Sequence, residues 1–230
     1  MNAICLVLDR LNQGFLGPYG NTWVETPHFD RLASQAFVFD QALTDTPQLQ
    51  RLYRTYWHGW HAMRGDDPPG DRPGLLALLG ERGVKTVLWT DSAEMVHLSL
   101  SAGFTEQIHD EAPPASGPAG SIEQTHLARS FAGLTETLAS LGEPFLVWCH
   151  LASLGTTWDA PWEFRSRYQE EGDPEPLESA EVPCQMLRPG HDPDEPLRAA
   201  QAYAGQVTLL DVCLGGLLEF LEQSPLGSRT

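Results

Sequence analysis

The sequence predicts an α/β fold in which a mostly parallel sheet carries helices on both faces. Four apolar runs have the length and the β-branched and aromatic content of buried strands, and they span residues 3–9, 37–43, 84–90 and 144–150. Segments with helical spacing of apolar residues alternate with them, at residues 27–36, 47–58, 121–141 and 197–223. This alternation is typical of parallel sheets, because parallel neighbours need a crossover connection between them.

The first strand is an unbroken apolar run that ends at Asp9. It places a carboxylate at the C-terminal edge of the sheet, where open α/β sheets bind their ligands. Thr26 followed by Pro27 predicts the start of a helix, with Thr26 as its N-cap. A second helix that begins with Pro follows the strand at 37–43 and extends from Pro47 to the aromatic residues before Gly59.

The middle of the chain continues the alternation. Residues 74–82 form a Leu-rich helical segment stopped by Gly83, and the strand at 84–90 ends at Asp91. Residues 104–109 are interpreted as a further short strand, followed by a linker at 110–120 that is rich in Pro, Ala and Gly. Residues 170–196 are acidic and Pro-rich, which predicts a mobile excursion within one domain covering 1–230.

Charge and composition restrict the function classes. The 230 residues include 31 acidic and 14 basic side chains, for a formal charge of −17 that repels nucleic acid and anionic membranes. No signal-like leader and no apolar run of membrane-spanning length is evident, so we expect a soluble, cytoplasmic protein that binds neither nucleic acid nor membrane. The widely spaced Cys5, Cys149, Cys184 and Cys213 are interpreted as reduced structural thiols.

Three short segments after the first strand carry a resemblance. Residues 16–21 read Leu-Gly-Pro-Tyr-Gly-Asn, residues 26–33 read Thr-Pro-His-Phe-Asp-Arg-Leu-Ala, and residues 39–44 read Phe-Asp-Gln-Ala-Leu-Thr. In order and spacing this pattern resembles the sulfatases of the alkaline-phosphatase superfamily, and the resemblance continues through 83–86, 144–147 and 202–211. It implies an alkaline-phosphatase-like fold, sulfuric ester hydrolysis as the family activity, and a divalent cation such as calcium as the family cofactor.

The resemblance also shows where the family chemistry is altered. Family members carry two consecutive acidic metal ligands after the first strand, whereas this sequence has Asp9 followed by Arg10. A guanidinium repels a cation, so Asp9 is at most a vestigial metal ligand. The simpler interpretation is that Asp9 accepts backbone N–H bonds at the strand end or pairs with Arg10.

The position of the family nucleophile is the sharper test. That nucleophile is a Cys or Ser converted to formylglycine, and it opens the pattern Cys-x-Pro-Ser-Arg. Alignment on Pro47 and Gly59 puts Leu49 at the nucleophile, and it puts Arg51, Leu52 and Tyr53 at the Pro, Ser and Arg positions. Leucine has no nucleophilic atom, so we predict that this position supports no catalysis.

Two neighbouring threonines were weighed as hydroxyl nucleophiles. Thr46 and Thr55 lie near the aligned position but not at it, and Thr46 is interpreted as the cap of the helix that begins at Pro47. The family's Lys and His near the ester align with Asp91 and Ala93, and a later loop His aligns with Gly155. We therefore predict a non-catalytic family member with an interaction or regulatory role. The alternative is a metal-dependent sulfuric or phosphoric ester hydrolase with a non-standard nucleophile.

Two other residue groups have a functional and a structural interpretation. His58 and His61 are three residues apart and, with Asp66 and Asp67, could form a transition-metal site, although surface histidines are the favoured interpretation. The aromatic residues Tyr53, Tyr56, Trp57 and Trp60 could line a ligand groove. Aromatic residues at helical spacing are more often core, and we favour that interpretation.

An association prediction follows from the last helix. In the family, this helix leads into a strand whose end carries a Ser-Asp-His-Gly type motif, and no such strand follows residues 197–223 here. We therefore expect an exposed sheet edge beside the first strand, covered by a homodimer contact or by a protein partner. The alternative is a compact monomer in which residues 170–196 fold over the gap.

Overall fold

The protein is built on a four-stranded parallel sheet with the strand order β1-β4-β2-β3. The computed structural model describes residues 1–64, 73–111, 113–184, 186 and 188–230. Its strands are β1 (Ala3–Leu8), β2 (Lys85–Thr90), β3 (Glu106–His109) and β4 (Phe145–Leu151). The parallel α/β architecture is as predicted, and the short strand expected near 104–109 is β3.

Seven helices are described. They are α1 (Pro27–Ser34), α2 (Leu49–His58), α3 (Leu75–Gly80), α4 (Ala93–His97), α5 (His126–Ser140), α6 (Trp162–Ser166) and α7 (Asp194–Gln223). The sequence predicted five of them with bounds that differ by a few residues. It missed α4 and α6, because five residues complete little more than one helical turn and show no periodicity.

The sheet is covered on both faces. Along β4, Val147 and Cys149 pack into one cluster with α5 and α7, whereas Leu146 and Trp148 pack into a second cluster. Successive side chains of a strand point to opposite faces, so this alternation reflects two separate layers of core. The second layer contains Tyr53 and Trp57 of α2 together with Leu76, Met95 and Phe104.

The strand predicted at residues 37–43 is wrong. That segment is irregular, and its apolar side chains face solvent, with Phe37 81% and Leu43 96% exposed. Apolar content produces a strand only where a neighbouring strand can complete the hydrogen-bond ladder. In the part of the chain that the structure describes, β1 pairs with β4 alone, and residues 37–43 have no strand to join.

The N-terminus of α1 is capped from a distant part of the chain. The Asp211 carboxylate on α7 accepts the N–H groups of His28 and Phe29 at 3.1 and 2.9 Å. Thr26 occupies the N-cap position, but its hydroxyl accepts the N–H of Gly17 at 2.9 Å instead. The predicted side-chain cap by Thr26 is therefore wrong. Burial raises the pKa of the Asp211 carboxyl, and the two N–H bonds oppose that shift.

The helix α7 is long and apolar enough to cross a membrane by length and composition, with 30 residues and a mean hydropathy of 1.4. The sequence analysis expected no such segment. Within the protein, 67% of this apolar stretch is buried, and Gly205 lies against α6. A Cβ on Gly205 would approach the Arg165 backbone to 2.9 Å, so only glycine permits this helix contact.

Residues 170–196 are fastened to the body of the protein by Arg165. This side chain is fully buried, and its guanidinium donates to the backbone carbonyls of Trp158, Ala160, Leu177 and Ser179. Burial lowers the Arg165 pKa to about 10, and Asp159 opposes this shift, so the group stays charged at neutral pH. The described part of the segment is irregular except for one bridge from Thr157 to Glu181 and the start of α7, and its mobility stays a prediction.

Candidate ligand-binding cleft

A cleft of about 1050 Å³ opens at the carboxyl ends of β1 and β4. Its walls are the loop after β1, the first turn of α2, the start of α4 and the loop after β4. The lining residues that matter most for chemistry are Asp9, Arg10, Leu49, Glu94, His150 and Gly155, together with Arg51 and Arg54. This is the edge of the sheet at which the sequence analysis expected a ligand site.

The loop after β1 is held in an uncommon conformation. Arg10 has a φ of 58°, in the left-handed region that non-glycine residues rarely adopt. The Asp9 carboxylate accepts the Arg10 N–H at 2.9 Å, and the Tyr203 hydroxyl of α7 donates to the Arg10 carbonyl at 2.9 Å. The same hydroxyl accepts the Asn12 N–H at 2.8 Å. The loop is thus fixed by its own carboxylate and by a side chain from the last helix.

The Arg10 side chain lies across Gly155. A Cβ on Gly155 would approach Arg10 Cδ to 2.5 Å and Nε to 2.8 Å, so a residue larger than glycine would displace the arginine. Among the described residues, no hydrogen bond or ion pair engages the Arg10 guanidinium, and the residue is exposed within the cleft. A charged donor group is therefore available to a ligand.

Leu49 is the first residue of α2, and it lines the cleft. The N-cap of this helix is Gln48, and no side chain caps it. The helix begins two residues later than predicted, because the Thr46 hydroxyl accepts the Gln48 N–H at 3.1 Å in a turn that precedes the helix. The N–H groups of the first helical turn have no partner within the helix itself.

Neither threonine that was weighed as a nucleophile lines the cleft. Thr46 is buried in the turn just described. The Thr55 hydroxyl donates to the Asp45 carboxylate at 3.1 Å, and that carboxylate also accepts the Ala62 N–H at 2.7 Å. These contacts give both residues a structural role.

A buried histidine, the second-last residue of β4, lies at the floor of the cleft. His150 is 3% exposed, and its Nδ1 lies 2.5 Å from the hydroxyl of the fully buried Tyr53. The Trp148 indole N–H donates to the same hydroxyl at 3.3 Å. The indole can only donate, so the Tyr53 oxygen accepts there, and His150 Nδ1 is the one acceptor that the described residues offer to the buried Tyr53 O–H. The need to satisfy that buried proton favours donation from Tyr53 to Nδ1. The neutral imidazole then carries its own proton on Nε2.

The protonation states of this pair follow from burial. Desolvation lowers the pKa of His150, and Asp9 opposes that shift, so the ring is neutral at pH 7. Desolvation raises the pKa of Tyr53 well above its ordinary value, and the Trp148 bond opposes the shift. Tyr53 thus stays protonated. The arrangement presents an N–H donor, and not a cation, from His150.

The remaining positions that the resemblance singled out are structural. Asp91 is absent from the cleft wall, and its carboxylate accepts the Ala152 N–H at 2.7 Å, which holds the loop after β4. Burial raises the pKa of this carboxyl. Ala93 is the first residue of α4. Neither position presents a cationic side chain to the cleft.

The described residues do not fit a divalent cation. The family cation requires several carboxylate or amide oxygens, but Asp9 is followed by Arg10 at the position where the resemblance implies a second acidic ligand. Among the described residues, no group of three or more His, Cys, Asp or Glu side chains could hold a metal ion.

The proposed transition-metal site at His58 and His61 loses its geometric basis. The helix α2 ends at His58, and Gly59 turns the chain with a φ of 65°, so the two imidazoles do not share a helical face. His61 Nδ1 lies 3.5 Å from the Asp45 carboxylate. Asp66 and Asp67 lie outside the described residues.

The aromatic residues of α2 belong mainly to the core. Tyr53 and Trp57 are 0% and 1% exposed, and both pack edge to face against Trp148. Tyr56 is 45% exposed and Trp60 is half-buried beneath Arg64. None of the four lines the large cleft, so the core interpretation of Tyr53 and Trp57 is correct.

Sequence reasoning did not identify His150 or Tyr203 as site residues. His150 follows an apolar run at a strand end, as Asp9 does, and that shared placement was the available signal. Tyr203 had no such signal, because it reaches the cleft loop from 193 residues away.

Comparison with known proteins gives a consistent picture. A family model described as Sulfatase matches residues 1–230. No curated protein sequence matches the chain.

Three solved structures share the fold. The phosphonate monoester hydrolase of Agrobacterium radiobacter has 16% identity and a TM-score of 0.69, over 98% of this chain and 60% of that protein. The C-terminal periplasmic domain of EcEptC from Escherichia coli, in complex with Zn, has 16% identity and a TM-score of 0.65, over 95% and 58%. BT1596, a 2-O GAG sulfatase, has 18% identity and a TM-score of 0.61, over 98% and 55%. The chain therefore spans less than two thirds of each of these proteins.

Proposed function

The chain belongs to the sulfatase family, and from that premise we propose that it binds an anionic sulfate or phosphate ester in the cleft without hydrolysing it by the family route. The proposal rests mainly on one observation, which is that position 49 is occupied by leucine. Leu49 is the first residue of α2 and lines the cleft, at the position aligned with the family nucleophile. A leucine there can contact a ligand, but it cannot attack one.

The charge of the cleft supports an anionic ligand. The protein as a whole has a formal charge of −17, yet the cleft is lined by three guanidinium groups and by two carboxylates. The guanidinium groups belong to Arg10, Arg51 and Arg54, and the carboxylates to Asp9 and Glu94. Within the described residues the Arg10 guanidinium has no partner, so it offers a charged donor to an anion that enters the cleft.

The proposal is tested by separating binding from turnover. We expect 4-nitrophenyl sulfate or 4-nitrophenyl phosphate to bind in isothermal titration calorimetry, with no 4-nitrophenolate released above the uncatalysed rate. The matched variant is Leu49→Ser, which places a hydroxyl at the aligned position and leaves the rest of the cleft unchanged. Sustained turnover by the wild-type protein would contradict the proposal.

The second candidate function is hydrolysis with a non-standard nucleophile. The observation in its favour is His150, a buried imidazole on the cleft wall whose Nδ1 is held by Tyr53. In that case turnover would be present in the wild-type protein and would fall in His150→Gln. Loss of that turnover in Asp9→Ala as well would indicate that a metal takes part.

A further inference from the structure

We infer that Arg10 takes the place of the divalent cation in this cleft, so that the site binds its oxyanion group without metal. The inference deepens the proposed function and rests on it. It identifies the ligand class as a tetrahedral oxyanion ester, sulfate or phosphate, held by hydrogen-bond donors of the protein alone.

Two departures from the family pattern fit together in space. Position 10 carries an arginine where the family has a second acidic ligand, and position 155 carries a glycine where the family has a histidine. The Arg10 side chain lies in the space that a side chain at position 155 would fill, with only 2.5 Å between its Cδ and a Cβ on Gly155. Loss of a side chain at one position therefore accommodates the larger side chain at the other.

The Arg10 backbone, which supports the side chain, is held in place before any ligand arrives. It has a φ of 58°, and the hydrogen bonds from Asp9 and Tyr203 secure that conformation. A rigid support lowers the entropy cost of ordering a long side chain on binding. The planar guanidinium suits two oxygens of a sulfate or phosphate group at once.

His150 supplies a second donor of a different kind. It is 3% exposed and lines the same cleft, and within the described part of the chain only its Nδ1 is engaged, by the Tyr53 hydroxyl. The Nε2–H that this bond leaves on the neutral ring is available to an oxyanion. The uncapped first turn of α2, which begins at Leu49 on the cleft wall, adds backbone N–H groups with the favourable end of the helix dipole.

The carboxylates of Asp9 and Glu94 also line the cleft and face the same volume. They repel additional negative charge, so we expect the site to take a monoester with one anionic group in preference to a polyanion.

The experiment measures binding of 4-nitrophenyl sulfate and 4-nitrophenyl phosphate to the 230-residue protein by calorimetry, after EDTA treatment and again after addition of Ca²⁺ or Zn²⁺. We expect the same affinity in all three conditions. Arg10→Asn, which tolerates the left-handed backbone, should weaken binding about ten- to a hundredfold. The affinity of Arg10→Lys should lie between that of the wild-type protein and that of Arg10→Asn, because lysine keeps the charge but lacks the planar guanidinium. The exposed Arg82, outside the cleft, provides the control Arg82→Asn, which should bind normally.

A double-mutant cycle with Gly155→Ala tests the spatial relation. In the wild-type background this substitution should weaken binding, because the new methyl group displaces the Arg10 side chain. In the Arg10→Asn background it should have no further effect, since the side chain that it displaces is gone.

The outcomes test the inference about Arg10 separately from the proposed function, which is oxyanion binding in the cleft. Binding that appears only after Ca²⁺ or Zn²⁺ is added overturns the inference and leaves the proposed function standing. Metal-free binding that is unchanged in Arg10→Asn also overturns it. Absence of binding with and without metal overturns both.

Discussion

Arg165 and Arg10 show two opposite uses of the same side chain. Arg165 is fully buried, and its guanidinium donates to four backbone carbonyls. Arg10 is exposed in the cleft, and within the described chain its guanidinium has no partner. The first joins two segments of the chain through four of its five N–H groups and is out of reach of a ligand. The second makes no such contact and keeps its donors available. A buried charge that donates to the backbone indicates a role in stability, whereas an exposed charge without a partner on a cleft wall indicates a role in binding.

Removal of the Arg165 guanidinium should produce the largest change in stability. Arg165→Met leaves the carbonyls of residues 158, 160, 177 and 179 without their shared donor, and we expect a loss on the order of 3 kcal/mol or more in the free energy of unfolding. Denaturant unfolding followed by tryptophan fluorescence measures it. Arg165→Lys is the matched control and should lose less. A loss below about 1 kcal/mol for Arg165→Met would contradict the structural role.

The Asp211 cap should have the next largest effect. Asp211→Ala removes the acceptor for the His28 and Phe29 N–H groups and should cost about 1–2 kcal/mol of unfolding free energy. Asp211→Asn retains an acceptor oxygen and should cost less. It also extends the comparison, because this buried carboxylate accepts from backbone N–H groups as the Arg165 guanidinium donates to backbone carbonyls.

The pH dependence of the Asp211 variants follows from the raised pKa. Burial raises the pKa of this carboxyl in the folded protein above its unfolded value, so the folded state favours the protonated form. Its contribution to stability therefore grows as pH falls through the folded pKa and is complete below about 3.8. Relative to Asp211→Asn, the wild-type protein should gain stability from pH 7 towards pH 4. A difference that stays constant over this range would contradict the assignment.

Tyr203 affects both the stability of the fold and the cleft. It is a core residue, and its hydroxyl holds the loop that carries Arg10. Tyr203→Phe should reduce the free energy of unfolding by about 1 kcal/mol, since the Asn12 N–H and the Arg10 carbonyl lose their shared partner. It should also weaken binding of 4-nitrophenyl sulfate several-fold. A double-mutant cycle with Arg10→Asn distinguishes this effect on Arg10 from a purely structural role. In the Arg10→Asn background, Tyr203→Phe should leave the remaining affinity unchanged.

The smallest stability effect is expected at Arg10. Arg10→Asn should change the free energy of unfolding by no more than about 0.5 kcal/mol, because exposed side chains without partners contribute little. The same variant is the one for which the largest loss of oxyanion binding is expected. A large stability loss in Arg10→Asn would remove the contrast with Arg165.

The sequence predicted the layers of the fold better than the construction of the site. Buried apolar runs such as 144–150 carry their own signal, and the helices that cover them repeat apolar residues at a regular spacing. The strand predicted at 37–43 failed because its apolar pattern is local, whereas a strand needs a neighbour. Short helices such as Ala93–His97 lie below the length at which periodicity is visible.

The site depends on contacts between residues that are far apart in the sequence. Arg10 and Gly155 were each identified as a departure from the family pattern, but only the fold reveals that one fills the space left by the other. Tyr203 reaches the Arg10 carbonyl across 193 residues, and Asp211 reaches His28 across 183. Residue type at a single position carries no information about such pairs.

The free edge of β1 should be visible in the exchange of its amide hydrogens with deuterium. The Asp9 N–H donates to Leu151 on β4, so the odd-numbered residues of β1 direct their N–H groups into the sheet. The even-numbered Ile4, Leu6 and Leu8 direct theirs to the opposite side, where the described chain provides no strand. In dilute solution we expect fast exchange at Ile4, Leu6 and Leu8 and slow exchange at Cys5 and Val7. If a second copy or another protein adds a strand at this edge, the three fast amides become protected as its concentration rises, while the other two stay unchanged.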